Sequence, residues 1–491
     1  MQPPQDSSHP ISGSGMLSHD SPDSKTPTRS SPSELHGSRA EGSQATIVEP
    51  PTILTLNIAS VEDVPPNGGY GWVVAVCALL MNANTWGVNA SWAIFLSHYL
   101  FNSTFPGATQ LEYALIGGLS ISQALMISPI QSKISRHFGT KMTLLLGSLL
   151  VSAAWLTASF ATQIWHLFMT VGICFGWGMG LVYITAAAIL PQWFSSRRSL
   201  AVGIASSGAG LGGLFYSLLT GHLVQQVGIE WTYRVLAVVT LVMNVASAIL
   251  LKDRNKMVKP VQNSFNYREL GHVEVLLIIA WGIATDVGYV VLLFSLPHYA
   301  ESVGLSQTQG SIVGAMLSLG LAIGRPFIGY YSDTFGRINM AGSMTALCGI
   351  LCLAIWMPAK SFAVLIVFAI PAGAVTGIFW GTCTAVIAEV VGLKRLPTVF
   401  GIICVALVTP TTFAEPLGLG LASASGYLTS QIFVGCLYLL GAAFVLLLRT
   451  WKITEIETKA TLENLDIDSG GLRTKPVGWL KLEKVFAWQR V

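Results

Sequence analysis

Twelve runs of mostly apolar residues leave this chain one environment in which to fold. They lie at about 70–98, 111–131, 140–161, 163–190, 199–222, 231–251, 273–299, 309–331, 338–358, 361–389, 397–422 and 424–449. About 20 such residues suffice for a helix to cross a bilayer. Lipid offers no hydrogen bonds to the backbone, so each run is expected as a helix that satisfies its own amides and carbonyls. Only 10% of the residues are charged, against about 25% in soluble domains. The expected fold class is an all-α membrane protein with twelve transmembrane helices.

The loops between the runs set an orientation. With the N-terminus inside, the inner loops hold Lys133, Arg136, Lys141, Arg197, Arg198, Lys252, Arg254, Lys256, Lys259, Arg268, Arg337, Lys394 and Arg395, and the outer loops hold Lys360 alone. Lys and Arg collect on the cytoplasmic side, so both termini are expected in the cytoplasm. The net charge of +3 reflects this topology and does not indicate nucleic acid. Residues 1–66 are rich in Ser and Pro and too polar to build a core. They hold no apolar signal region, so the first helix is expected to act as an uncleaved anchor. The remaining organisation is a six-helix half at 70–251, a central loop at 252–272, a second half at 273–449 and a tail at 450–491. Asn102-Ser103-Thr104 is a glycosylation sequon in the first outer loop. The seven cysteines all fall within the expected spans, where buried packing accounts for them.

Several motifs read as packing. Gly172, Gly176 and Gly180 repeat every four residues on one helix face, which lets another helix approach closely. Gly208-x-Gly210-x-x-Gly213 matches a dinucleotide fingerprint in letters, but no strand precedes it and it lies inside a span. There is no phosphate loop, hydrolytic triad or zinc site. The chain is therefore expected to be neither an enzyme nor a user of ATP, and to hold no metal or cofactor.

Polar groups inside the spans are the functional candidates. Arg325 stands in an apolar stretch, where a charge costs roughly 2.5–3.5 kcal/mol on insertion scales. Asp286 lies in mid-span on the preceding helix, and Glu415 lies between Pro410 and Pro416. Asp286 is expected to neutralise Arg325, to take up a proton, or both. Asn82 and Asn89, seven residues apart, are expected on one helix face, lining a cavity or bonding to neighbouring helices. Glu389 sits near a helix end beside Lys394 and Arg395 and reads as interfacial.

The two halves resemble each other. Gly329-x-x-x-Asp333-x-x-Gly336-Arg337 follows the eighth helix, and Ser132-x-x-x-Arg136-x-x-Gly139-x-Lys141 follows the second. This pattern resembles the major facilitator superfamily over roughly 70–449. It implies two six-helix bundles rocking about a central site, with Asp333, Arg337, Arg197 and Arg198 as gating residues. Arg136 stands where the family has an acid, so the first half must gate differently. Asn67-Gly68-Gly69-Tyr70-Gly71-Trp72 and Trp193 to Ala205 are similar to signatures of monocarboxylate porters, with Asn67 in place of an acid. Asn84 to Asn89, Phe95 to Leu100 and Pro410 to Pro416 resemble the fungal branch. By this resemblance Arg325, in Gly324-Arg325-Pro326, binds a substrate carboxylate, a task its planar fork suits. A structural pairing of Arg325 remains the alternative. The family's acid one turn earlier is Leu321 here, and its first-helix lysine is Ala90. Lactate-type coupling therefore does not carry over directly.

The expectation is a secondary active transporter of a small organic solute, a monocarboxylate or other organic anion, driven by a proton gradient, as a symporter, or by a substrate gradient. Arg325, Asn82 and Asn89 would bind the substrate, and Asp286 and Glu415 would carry the proton. Uptake of a vitamin-like aromatic solute and efflux of a secondary metabolite are the alternatives. A non-transporting membrane sensor is the rival of another class, disfavoured by tails of only 66 and 42 residues. The partners are the organic solute and membrane lipid, not nucleic acid, with an accessory membrane subunit left open. The location is expected to be the plasma membrane, with the vacuolar membrane as alternative.

Overall fold

The computed structural model describes residues 65–102, 105–255 and 267–464. The expected N-terminal tail before residue 65, Ser103 and Thr104 of the sequon, most of the central loop, and residues beyond 464 lie outside the described residues. Of Asn102 only its place at the end of the helix Trp92–Asn102 is described. Among the described residues there is no strand.

Ten helical stretches are long and apolar enough to cross a membrane. Two glycine breaks turn them into twelve spans. The 53-residue stretch Arg198–Leu250 kinks at Gly228, with φ 81°. Ser128–Ala158 kinks at Gly139, with φ 79°, and its first part continues Gln110–Met126 as one spanning helix. Only glycine adopts these angles without strain. The spans are α1 (Tyr70–Tyr99), α2 (110–138), α3 (140–158), α4 (Ile164–Gln192), α5 (198–227), α6 (229–250), α7 (Val273–Ser302), α8 (Gln307–Phe335), α9 (Arg337–Trp356), α10 (Phe362–Val391), α11 (Leu396–Ser425) and α12 (Tyr427–Asn464). The described residues have the all-α, twelve-helix fold expected from the hydropathy, in the two six-helix bundles that the family resemblance implies. With an even number of spans, the start of α1 and the end of α12 share one side, here called the basic face.

The two halves begin their second helix alike. Thr109 and Glu112 form a capping box at α2, and Ser306 and Gln309 form one at α8. Each box satisfies two orphan amides reciprocally. The halves then meet along two seams. In the α5–α8 seam, a Cβ on Gly203 would lie 2.4 Å from the Arg325 carbonyl oxygen, and one on Gly329 2.4 Å from that of Ser199. In the α2–α11 seam, Ser128 Oγ donates to the Gly401 carbonyl at 3.2 Å. Gly176 and Gly180 of α4 face the carbonyls of Ser120 and Ala124 on α2, Gly208 faces that of Leu79 on α1, and Gly210 faces α8. Helix packing thus accounts for both glycine motifs.

Four local features differ from the expectations. Residues Ala83–Gly87 of α1 form a π-helical turn. The inserted residue rotates the remainder of the helix, so the spacing of seven no longer puts Asn82 and Asn89 on one face. Span α10 is not continuous: Thr376 is extended and Gly377 left-handed, at φ 62° and ψ 19°. Span α12 runs on to Asn464, past the expected end at 449, with Thr450, Lys452 and Ile453 buried. Cys436 is exposed on the outer surface rather than packed, while most of the other cysteines are buried.

Candidate functional site

Mid-way along α8, Arg325 is 5% exposed. Pro326 follows it inside the helix and removes the amide that would bond the Ala322 carbonyl. The guanidinium reaches out of its own bundle. Nη1 donates to the Ser206 carbonyl on α5 at 2.7 Å, and Nη2 to the Gly377 carbonyl at the break in α10 at 3.5 Å. The Tyr289 hydroxyl also lies against it, while Nε is buried without a partner among the described residues. A Cβ on Gly377 would sit 2.7 Å from Nη2, so the break needs glycine for space as well as for its angle.

The expected pairing of Arg325 with Asp286 is not made. Asp286 is 2% exposed and engaged inside the second bundle. Its Oδ1 accepts from Trp380 Nε1 at 2.8 Å, and its Oδ2 from Thr411 Oγ1 at 2.5 Å. Both oxygens are satisfied by α10 and α11, while the arginine head extends toward α5. Glu415 is buried at 8% exposure and touches neither Arg325 nor Asp286.

Trp380 belongs to an aromatic group that spans the two bundles. Trp86 of α1 meets Tyr183 of α4 edge-on at 5.3 Å, and Trp380 stands 5.9 Å from Trp86 and 6.0 Å from Tyr183. A small cavity beside this group is lined by Asn82, Tyr183, Ser206, Trp380 and Thr384. Asn82 thus faces the cavity, with its Nδ2 bonded to the Ala78 carbonyl of its own helix. Asn89 does not face it: its Oδ1 accepts from Ser120 Oγ at 2.9 Å, tying α1 to α2.

At the basic face a second cluster joins the bundles. Asp333, in the last turn of α8, accepts from the amides of Ser199 and Leu200 at 3.0 and 2.9 Å. The acid therefore sits on the positive N-terminal end of α5, where an anion is stabilised. Arg337 is held by Asp333 at 3.3 Å, donates to the Ser195 carbonyl at 2.5 Å, and pairs with Glu389 of α10. Arg198 stands 4.0 Å from the same glutamate. Arg197 is exposed and outside the cluster. Glu389, read from the sequence as interfacial, is a member of this cluster at the basic face. Asn67 holds the other amides of this turn, accepting from Ser195 and Ser196 at 2.6 and 2.9 Å. The amide replacing the family's acid thus still works as an acceptor.

Trp86, Tyr183, Trp380, Thr411 and Gly377 are site residues that the sequence did not single out. Thr376-Gly377, five residues after Pro371 in an apolar run, was the available signal for the break. Nothing local marked the aromatic group, which tertiary packing assembles from separate helices.

Comparison with known proteins places the chain among transporters. The model of the Major Facilitator Superfamily matches residues 74–294 and 276–488. The probable transporter MCH2 of Saccharomyces cerevisiae is 33% identical over 388 residues, covering 77% of this chain and 82% of the relative. The uncharacterized transporter ESBP6 of the same yeast is 33% identical, covering 80% of this chain and 60% of the relative. The fujikurins efflux protein of Gibberella fujikuroi is 25% identical, covering 78% and 84%. Among solved structures, the proton:xylose symporter XylE superposes with a TM-score of 0.58 at 14% identity, covering 76% of this chain and 95% of the other. That last likeness concerns the fold alone.

Proposed function

This chain belongs to the Major Facilitator Superfamily, among its fungal monocarboxylate-porter-like transporters, and from that premise we propose that it carries a small organic anion by secondary active transport. One observation carries the reading. Arg325 is buried between the bundles, and among the described residues it meets carbonyls and a phenol but no carboxylate. A membrane-embedded cation is rare unless something compensates it. Here the compensating anion is the solute's carboxylate. The aromatic group of Trp86, Tyr183 and Trp380 favours a planar body on that solute, which keeps the aromatic-solute alternative in view.

Asp286 and Glu415 are the groups proposed to carry a coupling proton. Asp286 holds the indole of Trp380, so a proton there would loosen a wall of the solute site. Asn82 lines the same cavity and is proposed as a solute contact, whereas Asn89 serves the joint between α1 and α2. Asp333, Arg337, Arg198 and Glu389 are proposed to latch the basic face, which we take as cytoplasmic, and Arg197 remains a surface charge of that face. Asn102 then faces outside or a lumen, in the plasma or vacuolar membrane.

The test is flux. The full chain in proteoliposomes should accumulate at least one of a panel of labelled monocarboxylates (acetate, pyruvate, benzoate) when the lumen is made alkaline. Intact, monodisperse protein that moves none of them would remove the carboxylate reading.

A further inference from the structure

The break in α10 raises a chemical question that the reading of Arg325 alone does not answer. Helix Ile378–Val391 starts inside the membrane with Gly377 as its N-cap. Its first internal bond runs from the Gly381 amide to the Gly377 carbonyl at 3.2 Å. The amides of Ile378, Phe379 and Trp380 come before that bond and have no acceptor within the helix. Unsatisfied amides in a membrane interior are costly. Where half-helices begin at mid-membrane in transporters, their N-termini bear on anionic groups of the solute. A helix start alone would not make a site. Here a second observation points the same way.

The guanidinium beside this helix start is only partly used. Nε and Nη2 form one edge of the planar fork, the edge that grips a carboxylate side-on. Nη1, which engages Ser206 at 2.7 Å, is outside that pair. Along that edge, Nε has no partner among the described residues and Nη2 makes the long 3.5 Å contact to Gly377, with the Tyr289 hydroxyl also against the guanidinium. The unfilled edge therefore borders the residue that caps the half-helix.

We propose that the Nε/Nη2 edge of Arg325 and the first amides of Ile378–Val391 together form one carboxylate subsite, with Gly377 as the residue that lets them share it. The inference rests on the carboxylate reading above and adds the backbone half of the site. Loading replaces the weak Gly377 contact by two charge-assisted bonds, while the helix dipole adds to the arginine's charge. Equivalent helix α4 in the first half has no such break, so the anion is bound by the second bundle and only bridged to α5 through Ser206.

The experiment measures binding of labelled pyruvate and benzoate to the purified full chain in nanodiscs, with benzamide as the uncharged counterpart of benzoate. Gly377→Ala places a methyl against Nη2 and should weaken both anions at least tenfold. Replacing Ile378 by its α-hydroxy acid removes one N–H and leaves the side chain, which keeps the test open if Gly377→Ala folds poorly. It should weaken the anions several-fold and leave benzamide unchanged. Gly426→Ala, at another positive-φ glycine with open space around it, should bind as the parent does. If anion binding is lost in Arg325→Gln but unaffected by both changes in α10, the backbone subsite is overturned and the carboxylate reading stands. If the parent shows no preference for the anions, or Arg325→Gln keeps that preference, the reading itself fails and takes this inference with it.

Discussion

The seams α5–α8 and α2–α11 occupy equivalent places in the two-fold repeat but differ in chemistry. In α5–α8, glycines bring the backbones together, Arg325 crosses from one helix to a carbonyl of the other, and Asp333 caps the N-terminus of α5. In α2–α11 the described contacts are slighter: Ser128 bonds to the Gly401 carbonyl, and a Cβ on Gly118 would lie an ordinary 3.5 Å from the Thr412 carbonyl oxygen. The residue corresponding to Asp333 on this side is Arg136, which is exposed. A basic side chain is repelled by the positive end of a helix N-terminus. The difference teaches that one seam holds both the buried arginine and the charged cluster of the basic face, while the described contacts of the other include neither.

The largest expected effect tests the charged seam at its centre. Arg325→Gln should lower carboxylate uptake at least a hundredfold, because a bidentate charged contact is lost. Arg325→Lys, which keeps charge without the fork, should retain part of the flux. Full flux in Arg325→Lys would mean that the planar edge is unused. Next in size is the latch. Asp333→Asn keeps an acceptor for the α5 amides but removes the charge, worth about 1 kcal/mol at a helix N-terminus, a roughly fivefold shift toward opening. Thiol labelling of a single cysteine at Ser206, applied from the basic face, should quicken accordingly. Unchanged labelling would show that the charge of Asp333 does not hold the seam.

Asp286 offers a smaller and more specific effect. Asp286→Asn can still accept from Trp380 but cannot cycle a proton. Uptake at one pH should fall a few-fold and lose its response to a proton gradient, while solute exchange persists. A gradient response that survives both this change and Glu415→Gln would remove the two acids from coupling. The smallest effect belongs to the weaker seam. Arg136→Asp would place an acid at the position equivalent to Asp333 and is expected to slow transport by about twofold. A large change there would mean that the seams are already equal in weight.

Much of the fold was legible because hydropathy and loop charge are local and additive along the chain. The apolar runs marked most of the spans within several residues, though α12 runs on well past its expected end to Asn464. Asp333, Gly336 and Arg337 announced a joint at which the structure does place a charged cluster. Arg325 stood out by cost alone. What stayed hidden depends on backbone events and on partners far apart in sequence. A single π turn at Ala83–Gly87 separated Asn82 from Asn89, and no pattern of side chains revealed it. The break at Thr376 and Gly377 was read through as continuous helix because the residues around it are uniformly apolar. Asp286 and Arg325 are mid-membrane charges on consecutive helices, so sequence alone favours pairing them. The indole of Trp380 and the hydroxyl of Thr411 satisfy the acid instead, and neither can be located from sequence spacing.

The account turns on Arg325 having its missing anion supplied by the solute. The direct measurement is counterflow in proteoliposomes, comparing labelled benzoate with labelled benzamide for the parent and for Arg325→Gln at equal amounts of folded protein. The account predicts a strong preference for benzoate in the parent that collapses in the variant. A preference that survives the loss of the guanidinium would contradict it and leave Arg325 as a structural brace between α5 and α10.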